Sequence, residues 1–85
     1  MNTQTTILER ALVSNVSKMT LDAASFLWGV RLDPVDEKRS NDLAAKSRLG
    51  TLTEDEQHEI DEYRRVGRLI EMLRIQAYAV LNAAK

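Results

Sequence analysis

Eighty-five residues with no Cys make one small domain and exclude both disulfide stapling and a thiolate metal site. Twelve basic against thirteen acidic side chains leave a net charge of -1, so no global field gathers nucleic acid or an anionic membrane. With three Gly, one Pro and abundant Ala, Leu, Glu and Arg, the composition favours helix throughout, and no alternating run argues for a strand.

Met1 to Thr6 is polar and is expected to be loose. Glu9, Arg10, Asn15 and Lys18 interrupt the first twenty residues, unlike the apolar core of a signal peptide, and no run is long enough to span a bilayer. The expectation is a cytoplasmic protein away from membranes. Ile7, Leu8, Ala11, Leu12, Val16 and Met19 recur at three- and four-residue steps, which predicts an amphipathic helix within residues 1–18, packed alongside the rest or extended to a partner. Its opposite face is Glu9, Arg10, Ser14, Ser17 and Lys18. Thr20 is placed to cap a second, short helix over 20–29, to which Leu21, Ala24, Phe26, Leu27 and Trp28 supply apolar surface before Gly29 weakens it. Phe26 and Trp28 are two of four aromatic residues in the chain and are the expected anchors of the core.

Asp33-Pro34 signals a helix start, because Asp caps and Pro at the first helical position gives up an N–H that has no partner there anyway. The third predicted helix covers 34–49, with a thin apolar stripe of Val35, Leu43, Ala44 or Ala45 and Leu49 among Lys38, Arg39, Asp42, Lys46 and Arg48. The stretch from Leu49 to Gly67 then organises the chain. Gly50 tolerates the positive φ that ends a helix, and Thr53 with Glu56 forms a capping box over a first turn that includes Glu54 and Asp55. So short a connection makes its two helices neighbours, and the fold class expected is all-α, a single domain built on an antiparallel αα-hairpin with a long C-terminal helix.

That last helix is predicted over 54–82 and, at roughly 1.5 Å per residue, extends about 40 Å. Ile60, Tyr63, Val66 and Gly67 face one way in its first half, with Glu59, Asp61, Arg64, Arg65 and Arg68 over the rest. Gly67 inside a helix costs about 1 kcal/mol relative to Ala, which points to close approach by another helix. In the second half Leu69, Ile70, Leu73, Ala77, Val80 and Leu81 form a stripe, while Met72, Ile75, Tyr78 and Ala79 occupy the far side. A helix apolar nearly all round is normally buried, and four short elements cannot easily surround it. The residues expected to meet a partner, another protein or a second copy, are Leu69, Met72, Leu73, Ile75, Tyr78 and Val80.

Chemistry is sparse. Asp55, His58, Glu59 and Glu62 stand at helical spacing that resembles one half of a di-iron site, but a single His and Asp in place of Glu make a solvated acidic first turn the better reading. No Ser-His or Cys-His pair and no Gly-rich phosphate loop is present, so no catalytic residue and no cofactor is assigned. Arg64, Arg65, Arg68 and Arg74 are the basic concentration, yet Glu62 and Glu71 lie among them, and Glu71 with Arg68 or Arg74 makes a salt-bridged face rather than a recognition helix.

Leu-Ala-Ala-Lys-Ser-Arg-Leu-Gly-Thr-Leu-Thr-Glu-Asp-Glu (Leu43 to Glu56), followed by Glu-Tyr-Arg-Arg-Val-Gly-Arg-Leu-Ile (Glu62 to Ile70), resembles a group of small bacterial helical proteins; Leu21-Asp22-Ala23-Ala24 also fits. The resemblance covers roughly four-fifths of the chain, from about Met19 onward. Members are often encoded beside HNH-type nucleases, which implies a partner protein, inhibitor or accessory subunit. This chain departs from the group's more basic tail, because Arg74-Ile75-Gln76-Ala77-Tyr78 is more apolar and suits a protein-facing surface better than nucleic acid. The function expected is a non-catalytic helical protein-interaction module. The alternatives are a homodimeric DNA-binding regulator or antitoxin-like protein, and a helical metal-binding protein.

Overall fold

A computed structural model describes residues 3–84, the side chains of Gln4 and Thr5 excepted. It contains four α-helices: α1 (Thr3–Asn15), α2 (Leu21–Trp28), α3 (Pro34–Leu49) and α4 (Glu54–Ala83), with a 3-10 turn at Val16–Lys18. No strand occurs among the described residues, so the all-α class holds. Of the stretch expected to be loose, Met1 and Asn2 lie outside the described residues, whereas Thr3 to Thr6 are already helical.

Each boundary has a local cause. The Thr20 hydroxyl accepts from Ala23 N at 3.1 Å and starts α2. Asp33 Oδ1 accepts from Val35 N at 2.9 Å, and Pro34 is the first residue of α3. At the other end of α3, Gly50 takes φ 71°, Gly50 N donates to Ser47 O at 3.1 Å, and Thr51 N donates to Lys46 O at 3.0 Å. Those two bonds satisfy carbonyls that the helix cannot reach, the pairing of a Schellman end. The capping box of α4 is reciprocal: Glu56 N donates to Thr53 Oγ1 at 3.1 Å and Thr53 N donates to Glu56 Oε1 at 3.0 Å.

The chain divides into two compact units: one runs to Val30 and resumes at Arg68, and the other is Arg31–Gly67. In the second unit, α3 and the first half of α4 form the antiparallel hairpin. Lys46 pairs with Glu56, Arg39 with Glu59 and Asp36 with Tyr63, so partners step outward from the turn in opposite directions along the two helices. Leu43 is fully buried and Ile60 nearly so.

The apolar stripe expected on α3 is corrected here. Val35 and Leu49 are both 76% exposed. At 3.6 residues per turn Leu49 falls about 120° and Val35 about 80° round the cylinder from Leu43, both on the same side. The inward face is instead Asp36, Arg39, Ser40, Leu43, Ala44 and Ser47, a helical repeat made largely of polar residues. On α4 the matching face is Glu56, Glu59, Ile60 and Tyr63, so Glu59 turns toward the hairpin rather than away from it. Val66 is exposed, and a Cβ at Gly67 meets nothing within 4 Å among the described residues, so no helix approaches closely there. Gly67→Ala is therefore expected to stabilise the chain by about 1 kcal/mol, from helix propensity without a steric penalty, read as a higher urea midpoint. A lower midpoint would show that the glycine serves a contact.

Candidate functional site

The unit formed by α1, α2 and the second half of α4 buries few apolar side chains completely. Among the described residues these are Ala24 on α2 and Ala77 on α4, the smallest apolar side chains available. Around Ala77, Leu69, Ile70, Met72, Leu73, Val80 and Leu81 are half-buried. Large apolar groups remain in the open: Ile7, Leu8 and Val13 on α1, Leu21, Phe26 and Trp28 on α2, and Ile75 and Tyr78 on α4. Of the six residues read as partner-facing, Leu69, Met72, Leu73 and Val80 are thus partly covered, whereas Ile75 is 56% and Tyr78 50% exposed.

The expectation that Phe26 and Trp28 anchor the core is also corrected. Phe26 is 73% exposed, because it lies about 160° round α2 from Ala24, which occupies the inward face. Trp28 is 40% exposed and so is not a core residue either. Its ring lies 5.2 Å from that of Tyr78, tilted by 39°. The Arg74 guanidinium sits 4.7 Å from the Trp28 ring centre, its Nε donates to Trp28 O at 3.2 Å, and its Nη1 donates to Glu71 at 3.1 Å. One arginine thus caps the Trp28 carbonyl at the end of α2, covers an indole face and is held in place by a carboxylate one turn away. The spacing of Glu71 and Arg74 is legible in sequence. The reach of Arg74 to Trp28 is not, since the two are separated by 46 positions.

The hairpin carries a ladder of charge. Arg39 grips Glu59 with two bonds, Nε to Oε2 at 2.7 Å and Nη2 to Oε1 at 2.8 Å. Glu56 receives Lys46 and lies 3.8 Å from Arg39. The Lys46 ammonium, helped by Thr53 N–H, pulls the Glu56 carboxyl down from its ordinary 4.5 to about 2. Glu59 is lowered by its hydrogen bonds from Arg39, whose own guanidinium is raised in return. The Tyr63 hydroxyl donates to Asp36 Oδ1 at 2.8 Å, and that bond raises its pKa. Because Glu56 is depressed in the folded state, its contribution is complete above pH 4.5 and is lost as pH falls toward 2. Glu56→Gln keeps a side chain able to close the capping box but no charge to lose, so its stability should change less between those pH values, as read by circular dichroism. Identical acid profiles for the two proteins would contradict the assignment.

Asp55 and His58 are exposed, and Glu59 and Glu62 are engaged with Arg39 and Arg65. Among the described residues no group of three His, Cys, Asp or Glu side chains is placed to hold a metal ion. Arg64 pairs with Asp61 at 3.5 Å, Arg65 with Glu62 and Arg74 with Glu71, so three of the four arginines read as a basic concentration are matched by neighbouring acids. No described helix is long and apolar enough to cross a membrane. No family model, curated protein or solved structure matches the chain.

Proposed function

We propose that the chain is a non-catalytic helical module that binds another protein, or a second copy of itself, through Leu69, Met72, Leu73, Ile75, Tyr78 and Val80 on α4. The observation that carries this reading is the incomplete cover of α4: around a buried alanine, six larger apolar residues are only half-buried, and Ile75 and Tyr78 are at least half exposed. Exposed apolar area of this kind is a cost in solution that a docked chain removes. Three of the four arginines of α4 pair with acids on their own helix, which supports a protein partner over a duplex. By its resemblance, the chain acts in a bacterial cytoplasm as an inhibitor or accessory subunit, and an HNH-type nuclease is the partner to test first.

The test compares wild type with Ile75→Glu. Ile75 is exposed, so a carboxylate there is accommodated by the folded chain, whereas a docked interface would have to bury it. Affinity capture from the native cell, read by mass spectrometry, should recover a partner that the variant loses by about tenfold or more. Light scattering over a concentration series separates self-association from binding to a different protein. A chain that stays monomeric and captures the same proteins with and without Ile75→Glu would overturn the proposal.

A further inference from the structure

The covalent chain crosses between the two compact units twice. One crossing, Val30 to Arg31, lies in the irregular stretch between α2 and α3, and the other, Gly67 to Arg68, lies inside α4. Nothing at that second point requires a glycine. The helix runs on without a break, φ at Gly67 is not positive, and a Cβ there would meet no atom within 4 Å among the described residues.

The turn around Gly67 is also the barest in the interior of α4. Val66, Gly67 and Arg68 are all exposed, and successive residues stand about 100° apart, so three in a row leave most of the circumference in water. Among the described residues, the hydrogen bonds that tie α4 to other helices end at Tyr63, on Asp36, and resume at Arg74, on Trp28. The side-chain pairs along α4 stop short of the same turn, Glu62 with Arg65 before it and Glu71 with Arg74 after it, and none includes a residue from Val66 to Ile70. Such a turn is held mainly by its own backbone bonds. Glycine weakens those bonds, because it has the most conformational freedom to regain and leaves its peptide groups open to water. Where water enters an exposed ladder of this kind, helices bend.

We propose that Gly67 is a hinge at which α4 opens and bends, so that the two units move as bodies joined by one weak turn and one irregular stretch. The inference is independent of docking through Ile75 and Tyr78, and its test leaves both residues in place. In an α-helix the amides of Arg68, Leu69 and Ile70 donate to the carbonyls of Arg64, Arg65 and Val66 across Gly67. Hydrogen exchange of the full-length, 15N-labelled chain should therefore give these three amides protection factors about tenfold or more below those of the buried Ile60 and Ala77. Gly67→Ala should raise the three factors about fivefold beyond any change at Ile60 and Ala77. The bend is read separately. Because the chain has no Cys, spin labels at His58→Cys and Asn82→Cys, both exposed on α4, report one distance by double electron–electron resonance in samples diluted with unlabelled protein. A straight helix sets those Cα atoms about 36 Å apart. A broad distribution reaching shorter distances is expected, and Gly67→Ala should narrow it. Protection at residues 68–70 equal to that at Ile60, protection that Gly67→Ala leaves unchanged, or a single narrow distance in the chain that retains Gly67 would overturn the proposal.

Discussion

Leu43→Ala is expected to destabilise the chain by about 2–5 kcal/mol, the cost of removing a fully buried leucine and leaving a cavity behind. The effect is large because this core is small. Leu43 is completely buried and Ile60 nearly so, while the remaining inward positions of the hairpin are largely polar or alanine and offer little to collapse into the space. For a chain of this size the loss should lower the melting temperature by about 10 °C or more. Val35→Ala and Leu49→Ala supply the comparison. Both remove apolar atoms from the same helix, yet at 76% exposure each should change stability by no more than about 0.5 kcal/mol. Thermal and urea unfolding followed by circular dichroism distinguishes them. Three similar penalties would mean that the inward face of α3 has been assigned wrongly.

The second large effect is expected at Trp28. Trp28→Ala removes a tilted aromatic pair with Tyr78 and the face over which Arg74 sits, together with the area that the indole covers. An aromatic pair contributes about 0.5–1.5 kcal/mol beyond burial and a partly exposed cation–π contact about 0.5–1 kcal/mol. With the lost burial of a ring that is 40% exposed, the total is about 2–3 kcal/mol, below the cost of truncating a fully buried tryptophan. Phe26→Ala, on the same helix at 73% exposure, should cost at most about 0.5 kcal/mol. Arg74→Lys retains the charge but loses the planar group that covers the indole and donates to Trp28 O, and should give an intermediate loss of about 1 kcal/mol. If Phe26→Ala proved as damaging as Trp28→Ala, the outward orientation of Phe26 would be refuted.

Helix ends are set by residues close in sequence, and they were the part of this protein most open to reading from the chain alone. Thr20, Asp33-Pro34, Gly50 and the Thr53–Glu56 pair each act on a backbone group within a few positions, so their chemistry names the boundary wherever the helix later packs. The antiparallel hairpin follows from the brevity of its turn. Its charge ladder was legible in principle as well, since bases late in α3 must pass acids early in α4 once the two run side by side.

What only the tertiary structure decided was which faces turn inward and how completely. Apolar character alone misassigned Val35, Leu49 and Phe26, because burial depends on angle round a helix and on the neighbour present, not on the greasiness of the residue. It also passed over Asp36, Arg39 and Glu59, which occupy the hairpin's inner face because each finds a hydrogen-bonding partner there. The meeting of Arg74 with Trp28 joins residues that no local rule connects. Periodicity along α4 marked an excess of apolar surface, but only the packed chain separates the residues that α4 half-buries from Ile75 and Tyr78, which stay at least half exposed even with Tyr78 against the Trp28 ring.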